Sequence, residues 1–220
     1  MIARANMQTG AVVSVHTGKI SPLGDSGKPS AFVKAARTGP VAVGILGLDG
    51  DEQADKRFHG GPDKAVYAYD AGSYDAWAAE FSALRFGPGS MGENLPLTGF
   101  DEDSVGIGDR HRIGSALLEV CQPRQPCWKL AEVFDEPHLV KAMFANGRCG
   151  WYYRVLEAGT ITARDAVKLI ERGDAAWTIR RLAGFTVARH RPAADVAQVI
   201  ALPRLADSLR DKARKWLAQG

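Results

Sequence analysis

Apolar and polar positions alternate at short intervals through most of the first 170 residues and settle into a helical period only afterwards. Residues 11–20, rich in Val, Thr and Ser, predict a first strand, and residues 31–35 a second. A third apolar run, residues 40–48, is broken by Gly44 and Gly47, and single glycines in a strand pattern mark bulges or sharp bends. Residues 64–69 alternate as a strand does. Tyr74, Trp77, Ala78, Phe81 and Leu84 then recur at helical spacing, which predicts one amphipathic helix with an aromatic stripe facing the core. A loop follows over residues 85–97. Residues 104–113 and 115–121 read as paired strands turning near Gly114, residues 127–134 and 137–146 as helices, and residues 150–156 and 165–171 as strands.

Beyond Gly173 the helical period is broken at Arg191-Pro192 and Leu202-Pro203, predicting three short helices over residues 178–188, 192–200 and 203–217. Many short, bent strands with few helices describe a mainly β chain with some α. The expected architecture is a closed or partly closed β-barrel domain in residues 1–173 and a three-helix C-terminal module in residues 174–220.

Composition narrows the function classes. At 220 residues, with 45% hydrophobic and 24% charged positions, the chain can bury a good core, and a disordered protein is excluded. No apolar run approaches the roughly 20 residues that span a bilayer, and the first ten residues carry no apolar stretch of the secretory kind. Cys121, Cys127 and Cys149 are odd in number, widely spaced and without a C-x-x-C pair, which disfavours a disulfide framework or a zinc knuckle. The expectation is a cytoplasmic protein with reduced thiols and no membrane partner. The net charge of +3 is unevenly placed: residues 174–220 hold nine Lys or Arg against four Asp or Glu, and residues 1–173 nineteen against twenty-one.

The densest chemistry lies in Gln122-Pro123-Arg124-Gln125-Pro126-Cys127-Trp128-Lys129. Two prolines stiffen the loop, and Arg124 and Lys129 flank the Cys127 thiol. Nearby cations favour the thiolate, the form that attacks or ligates metal, and a helix beginning after Pro126 would push the same way. A small buried thiol in a tight turn is the bland alternative.

Other motifs are weaker. Asp51, Asp55 and His59 recur at spacings of four in a glycine-bounded segment, but the EF-hand and HExxH patterns are absent. These residues read either as turn caps in a solvated loop or as an imidazole beside Gly60 and Gly61, where backbone amides can approach an anion. Residues 87–92 form a literal G-x-G-x-x-G that follows a helix rather than a strand, so the dinucleotide reading fails on context. Glu93 and Asn94 beside it are polar groups where glycines permit close approach.

Taken in order, Gly47-Leu48-Asp49-Gly50-Asp51, His59-Gly60-Gly61, Gly92-Glu93-Asn94-Leu95 and Gln122-Pro123-Arg124-x-Pro126-Cys127 resemble the MOSC family, the molybdenum cofactor sulfurase C-terminal domain. Residues 147–151 fit too, and the resemblance covers about residues 14–171. The three-helix tail and Gly27-Lys28-Pro29-Ser30-Ala31 are similar to the YiiM-like branch of that family, although this tail is richer in Arg.

The resemblance implies a MOSC-type barrel binding a molybdenum–pyranopterin cofactor, with Cys127 as the molybdenum ligand, a soft donor suited to that metal. It further implies a reductase of N-hydroxylated compounds such as N-hydroxylated purine bases. Proton donation falls to His59, with Glu93 or Asp51 as substitutes if burial raises their pKa values. Lys28, Ser30, Gly60, Gly61, Asn94 and Arg124 are the candidates for holding the cofactor, Arg124 because its planar fork matches phosphate. Electrons would come from a separate reductase, possibly a flavoprotein, docking near the basic C-terminal helices. Two alternatives stand beside this: a non-catalytic carrier of the cofactor or of sulfur on Cys127, and, ranked last, a nucleic-acid-binding module using the basic tail.

Overall fold

Period-two patterning places one face of each long strand inward. In Arg110–Ile113, His111 and Ile113 are buried; in Trp151–Glu157, Trp151, Tyr153 and Val155; in Ala166–Glu171, Val167 and Leu169. The computed structural model describes residues 8–55 and 60–219. Seven strands close a barrel: β1 (Thr9–Val12), β2 (Val66–Asp70), β3 (Leu95–Thr98), β4 (Arg110–Ile113), β5 (Ala116–Pro123), β6 (Trp151–Glu157) and β7 (Ala166–Glu171). Their order around the barrel is β1-β7-β4-β5-β6-β2-β3, and β3 returns to pair with β1. Closure removes the exposed edges that an open sheet would present.

All neighbouring barrel strands are antiparallel except β2 and β3, where Ala68 lies opposite Leu95. A parallel pair needs a crossover, and helix α1 (Ser73–Glu80) supplies it, burying Tyr74 and Trp77. The β4–β5 hairpin turns at Gly114, with Ile113 opposite Ala116 and Arg110 opposite Glu119. Strand β5 is buried on nearly its whole length because the barrel neighbours, the helix Ile179–Val187 and the short strands Gly106–Ile107 and Gly159–Ile161 all pack against it.

Helices α2 (Trp128–Phe134) and α3 (Pro137–Asn146) follow β5. After the barrel, Asp174–Thr178 is a strand, pairing with Gly106–Ile107, before the helices α4 (Ile179–Val187), α5 (Ala193–Ala201) and α6 (Asp207–Gln219). Thr178 caps α4 through Oγ1, which accepts from the Arg181 amide at 3.3 Å. Leu182, Val196, Val199, Leu209 and Ala213 join the barrel's apolar cluster. Arg204 fastens the α5–α6 connection to the barrel, donating to the Gly108 carbonyl at 2.8 Å and pairing with Glu119 and Glu171.

Three expected strands are corrected. Residues 104–113 split into Gly106–Ile107, which pairs with Asp174–Thr178, and the barrel strand Arg110–Ile113. Residues 11–20 are not one strand: after Val12 the chain leaves the barrel, and only His16–Thr17 pairs again, with Ala35–Ala36. Residues 31–34 are not in a strand either, and only Ala35 of the expected run pairs, with Thr17. The pairing falls earlier, where Lys28–Ser30 forms a ribbon with Ser21–Leu23, and Ser30 Oγ accepts from the Phe32 amide at 3.1 Å to turn the chain. Among the described residues no helix is long and apolar enough to cross a membrane.

Candidate functional site

Strand β5 delivers the proline-framed loop to one mouth of the barrel. Pro123 is still in register with Trp151, and the Arg124 amide donates to the Gly150 carbonyl at 3.1 Å, so the loop leaves from a fixed point. It ends at Cys127, the extended residue that precedes α2 and whose carbonyl accepts from the Leu130 amide. The Cys127 thiol is half-buried, while Cys121 and Cys149 are buried and their thiols are pushed up in pKa by desolvation. Of the three, Cys127 lines the large cleft open to solvent.

That cleft has an inner pocket of about 80 Å³ and an outer part of about 1340 Å³. The two share Gln53, Ala54, Lys64, Cys127, Lys129 and Tyr152. Phe32 and Tyr67 line the inner pocket, and the outer part reaches α6 at Ser208, Leu209 and Lys212.

Arg124 is the unusual group. It is 4% exposed and lines the inner pocket, yet no carboxylate pairs with it among the described residues. Its guanidinium instead lies 5.5 Å from the centroid of Tyr67 and 5.9 Å from that of Phe32, and donates to Met143 Sδ at 3.4 Å. Burial works against the charge, but Tyr67, Cys127 and Tyr152 around it pull its pKa upward overall. A buried cation without a counter-ion is costly, and an anion arriving in the pocket would relieve that cost.

Lys34 and Asp51 form a buried ion pair on the same pocket. Desolvation lowers the Lys34 pKa, against the pull of Asp51. Asp51 also accepts from the Gly18 amide at 2.7 Å and from Asn94 Nδ2 at 3.0 Å. Lys64, partly buried, has its pKa lowered chiefly by desolvation, and Lys129 is 8% exposed.

The structure therefore brings Asp51, Asn94, Arg124 and Cys127 to one pocket, with Lys28 on its outer rim. Glu93 does not line it. Its carboxylate is fully enclosed, accepts from the Gly89 and Met91 amides and from the Tyr74 hydroxyl, and pins the glycine-rich turn behind the wall. Desolvation raises its pKa, but these partners leave it a structural position rather than a place at a reacting group. Ser30 is likewise 1% exposed and absent from the lining, with its hydroxyl spent on the Phe32 turn. Gly61 precedes the short helix Pro62–Lys64 with φ 87°, which aims Lys64 at the cleft, and Gly60 lies beside it. His59 lies outside the described residues.

Sequence reasoning did not single out Lys34, Lys64, Tyr67 or Tyr152. Tyr67 and Tyr152 face one another across β2 and β6, and the alternation of those strands was the available signal. Lys34 left none. Among the described residues no group of three or more His, Cys, Asp or Glu is arranged to hold a metal ion. A metal at Cys127 would take its remaining ligands from a cofactor.

A closed barrel delivers a thiol into a cleft lined by lysines, a buried arginine and aromatic rings, a setting whose charge suits an anionic small molecule. The sequence model of the MOSC domain matches residues 55–168, and the chain belongs to that family. It is 43% identical over 162 residues to protein YiiM of Escherichia coli (strain K12), covering 73% of this chain and 72% of that protein. It is also 34% identical over 212 residues to a reductase of Gibberella moniliformis (strain M3125 / FGSC 7600), covering 94% of this chain and 37% of that longer protein. The crystal structure of YiiM from Geobacillus stearothermophilus superposes with a TM-score of 0.81 at 34% identity, covering 94% of this chain and 99% of that one. The expected family and barrel fold are thereby shown.

Proposed function

We propose that this protein is a molybdenum-cofactor-dependent reductase of N-hydroxylated compounds, such as N-hydroxylated purine bases. The observation that carries the reading is that Arg124 and Cys127 share one pocket: a buried guanidinium with no carboxylate partner among the described residues, and a half-buried thiol. An anionic pterin-type cofactor fits this donor set, because its phosphate would be a counter-ion for Arg124, Lys64 and Lys129. The Cys127 thiolate would ligate its metal. When bound, the cofactor supplies a two-electron redox centre.

The overall change converts R–NHOH, two electrons and two protons into R–NH2 and water. This chain's part is to bind, to exclude water and to hold protons. Phe32, Tyr67 and Tyr152 give the inner pocket an apolar wall. The Lys34–Asp51 pair holds a proton on Lys34 Nζ at the pocket wall, and desolvation lowers the Lys34 pKa, which eases its release. The cleft narrows from its outer to its inner part, so a small flat molecule fits more readily than a macromolecule.

The electrons come from a separate reductase. The Gibberella moniliformis relative is named a reductase, and this chain covers 37% of its length. The test is turnover of 6-hydroxylaminopurine with a chemical reductant by wild type and Cys127→Ser after expression in a cofactor-producing host. Turnover in the wild type and its loss in the variant are expected; equal turnover in both would overturn the reading.

A further inference from the structure

The chain has five tryptophans. Trp77, Trp151 and Trp177 are buried, and Trp216 packs edge-on against Phe185 with Arg191 over its ring. Trp128 differs: it is 43% exposed and lines the outer cleft immediately beside Cys127. It is the first residue of α2, and Lys28 Nζ lies 5.0 Å from its ring centroid, a cation–π contact that holds the indole in place. Pro29, Pro126 and Leu209 add apolar surface to the same cleft, and Ser208 and Lys212 add polar groups from α6.

An indole left this open in water carries a large apolar area that a flat ring can cover. Every heteroaromatic base has such a face, and stacking on an aromatic side chain is tolerant of the base's identity. We propose that Trp128 is the stacking residue for the substrate's ring. The cleft is then specific for N-hydroxylated heteroaromatic bases over N-hydroxylated compounds that lack a ring. This inference rests on the reductase reading and names the residue that positions the ring of its substrate. Trp128 acts by positioning the ring; the reacting N–OH group lies toward Cys127.

The test uses the full-length, cofactor-loaded protein as wild type, Trp128→Ala and Trp128→Phe, with molybdenum per chain and the thermal midpoint measured on each preparation. Affinity for 6-hydroxylaminopurine is read by calorimetry without reductant, and kcat and KM are read with a chemical reductant. Hydroxyurea serves as the ring-free substrate. Trp128→Ala is expected to weaken base affinity and raise its KM by about tenfold, with kcat and the hydroxyurea KM held. Trp128→Phe is expected to stay within about threefold of wild type, since it keeps a ring. Equal base affinity in all three proteins would overturn the proposal. So would a loss shared equally by both substrates, or a Trp128→Ala defect seen only with a protein electron donor, which would make this face a donor-docking surface. Metal missing from the wild type would sink the reductase reading alone, because the calorimetric series still decides whether Trp128 stacks a base.

Discussion

Asn94 holds Asp51 in the pocket. Its Nδ2 donates to Asp51 Oδ2 at 3.0 Å and to the His16 carbonyl at 3.1 Å, while its Oδ1 accepts from the Tyr67 amide at 3.0 Å. One buried amide thus ties a loop carboxylate to strand β2, and through Asp51 it fixes Lys34. Asn94→Leu keeps the volume and removes all three bonds, leaving the Tyr67 amide buried without that partner. A loss of about 1–3 kcal/mol of stability is expected in urea unfolding, together with weaker cofactor retention. Unchanged stability would mean that the tether contributes nothing.

Gly150 and Gly61 share a left-handed backbone, with φ of 67° and 87°, but not a setting. A Cβ on Gly150 would lie 2.3 Å from the Ala68 carbonyl oxygen, whereas one on Gly61 would meet no atom of the described residues within 4 Å. Gly61 has ψ 170°, a conformation essentially reserved for glycine, so Gly61→Ala should cost only that backbone strain of about 1–3 kcal/mol. Gly150→Ala should cost clearly more and should displace the Arg124 loop, because the Gly150 carbonyl anchors the Arg124 amide. Similar thermal midpoints for the two variants would contradict this.

Glu102 is fully buried beside the loop, accepting from the Gly150 amide at 2.8 Å, with Arg180 3.7 Å from its second oxygen. Desolvation lifts its pKa to about 7. The folded state therefore holds a proton that the unfolded chain releases above about pH 4.5, and this group's contribution to stability falls as pH rises from there to about 7. The full effect is about 3 kcal/mol. Glu102→Gln keeps the acceptor for Gly150 and removes the titration. The difference in stability between variant and wild type should grow in the variant's favour between pH 5 and pH 7.5, and a constant difference would rule the effect out.

Lys212 lines the outer cleft from α6, and Arg214 and Lys215 are exposed on the same helix. If an acidic electron-donor protein docks there, turnover with that donor should fall several-fold between low salt and about 0.3 M, as surface attraction is screened. Turnover with a chemical reductant should hold. The same salt dependence in both assays would argue against docking on this face.

Much of the fold was legible because its signals are local and periodic. The β4–β5 hairpin announced itself through alternation on either side of Gly114, and helices α4 to α6 through apolar spacing between prolines. Residues 31–35 misled because three apolar side chains in a row look the same in a strand and in a loop that packs on a pocket. Asp174–Thr178 escaped because its two-residue partner, Gly106–Ile107, lies far away in sequence. In the site, the stiff Arg124–Cys127 loop could be read from its prolines and charges. The Lys34–Asp51 pair could not, since an ion pair between two irregular segments leaves no period. Glu93 looked reactive for the reason that makes it structural: the glycines beside it let backbone amides close around its carboxylate.

The most direct measurement is molybdenum per chain in wild type, Cys127→Ser and Arg124→Gln, purified from a host that overproduces the cofactor. Near-stoichiometric metal in the wild type, most of it lost in Cys127→Ser and weakened retention in Arg124→Gln, is the expected result. Metal held equally by wild type and Cys127→Ser, or absent from a folded wild type, would contradict the assignment of Cys127 as the metal's protein ligand.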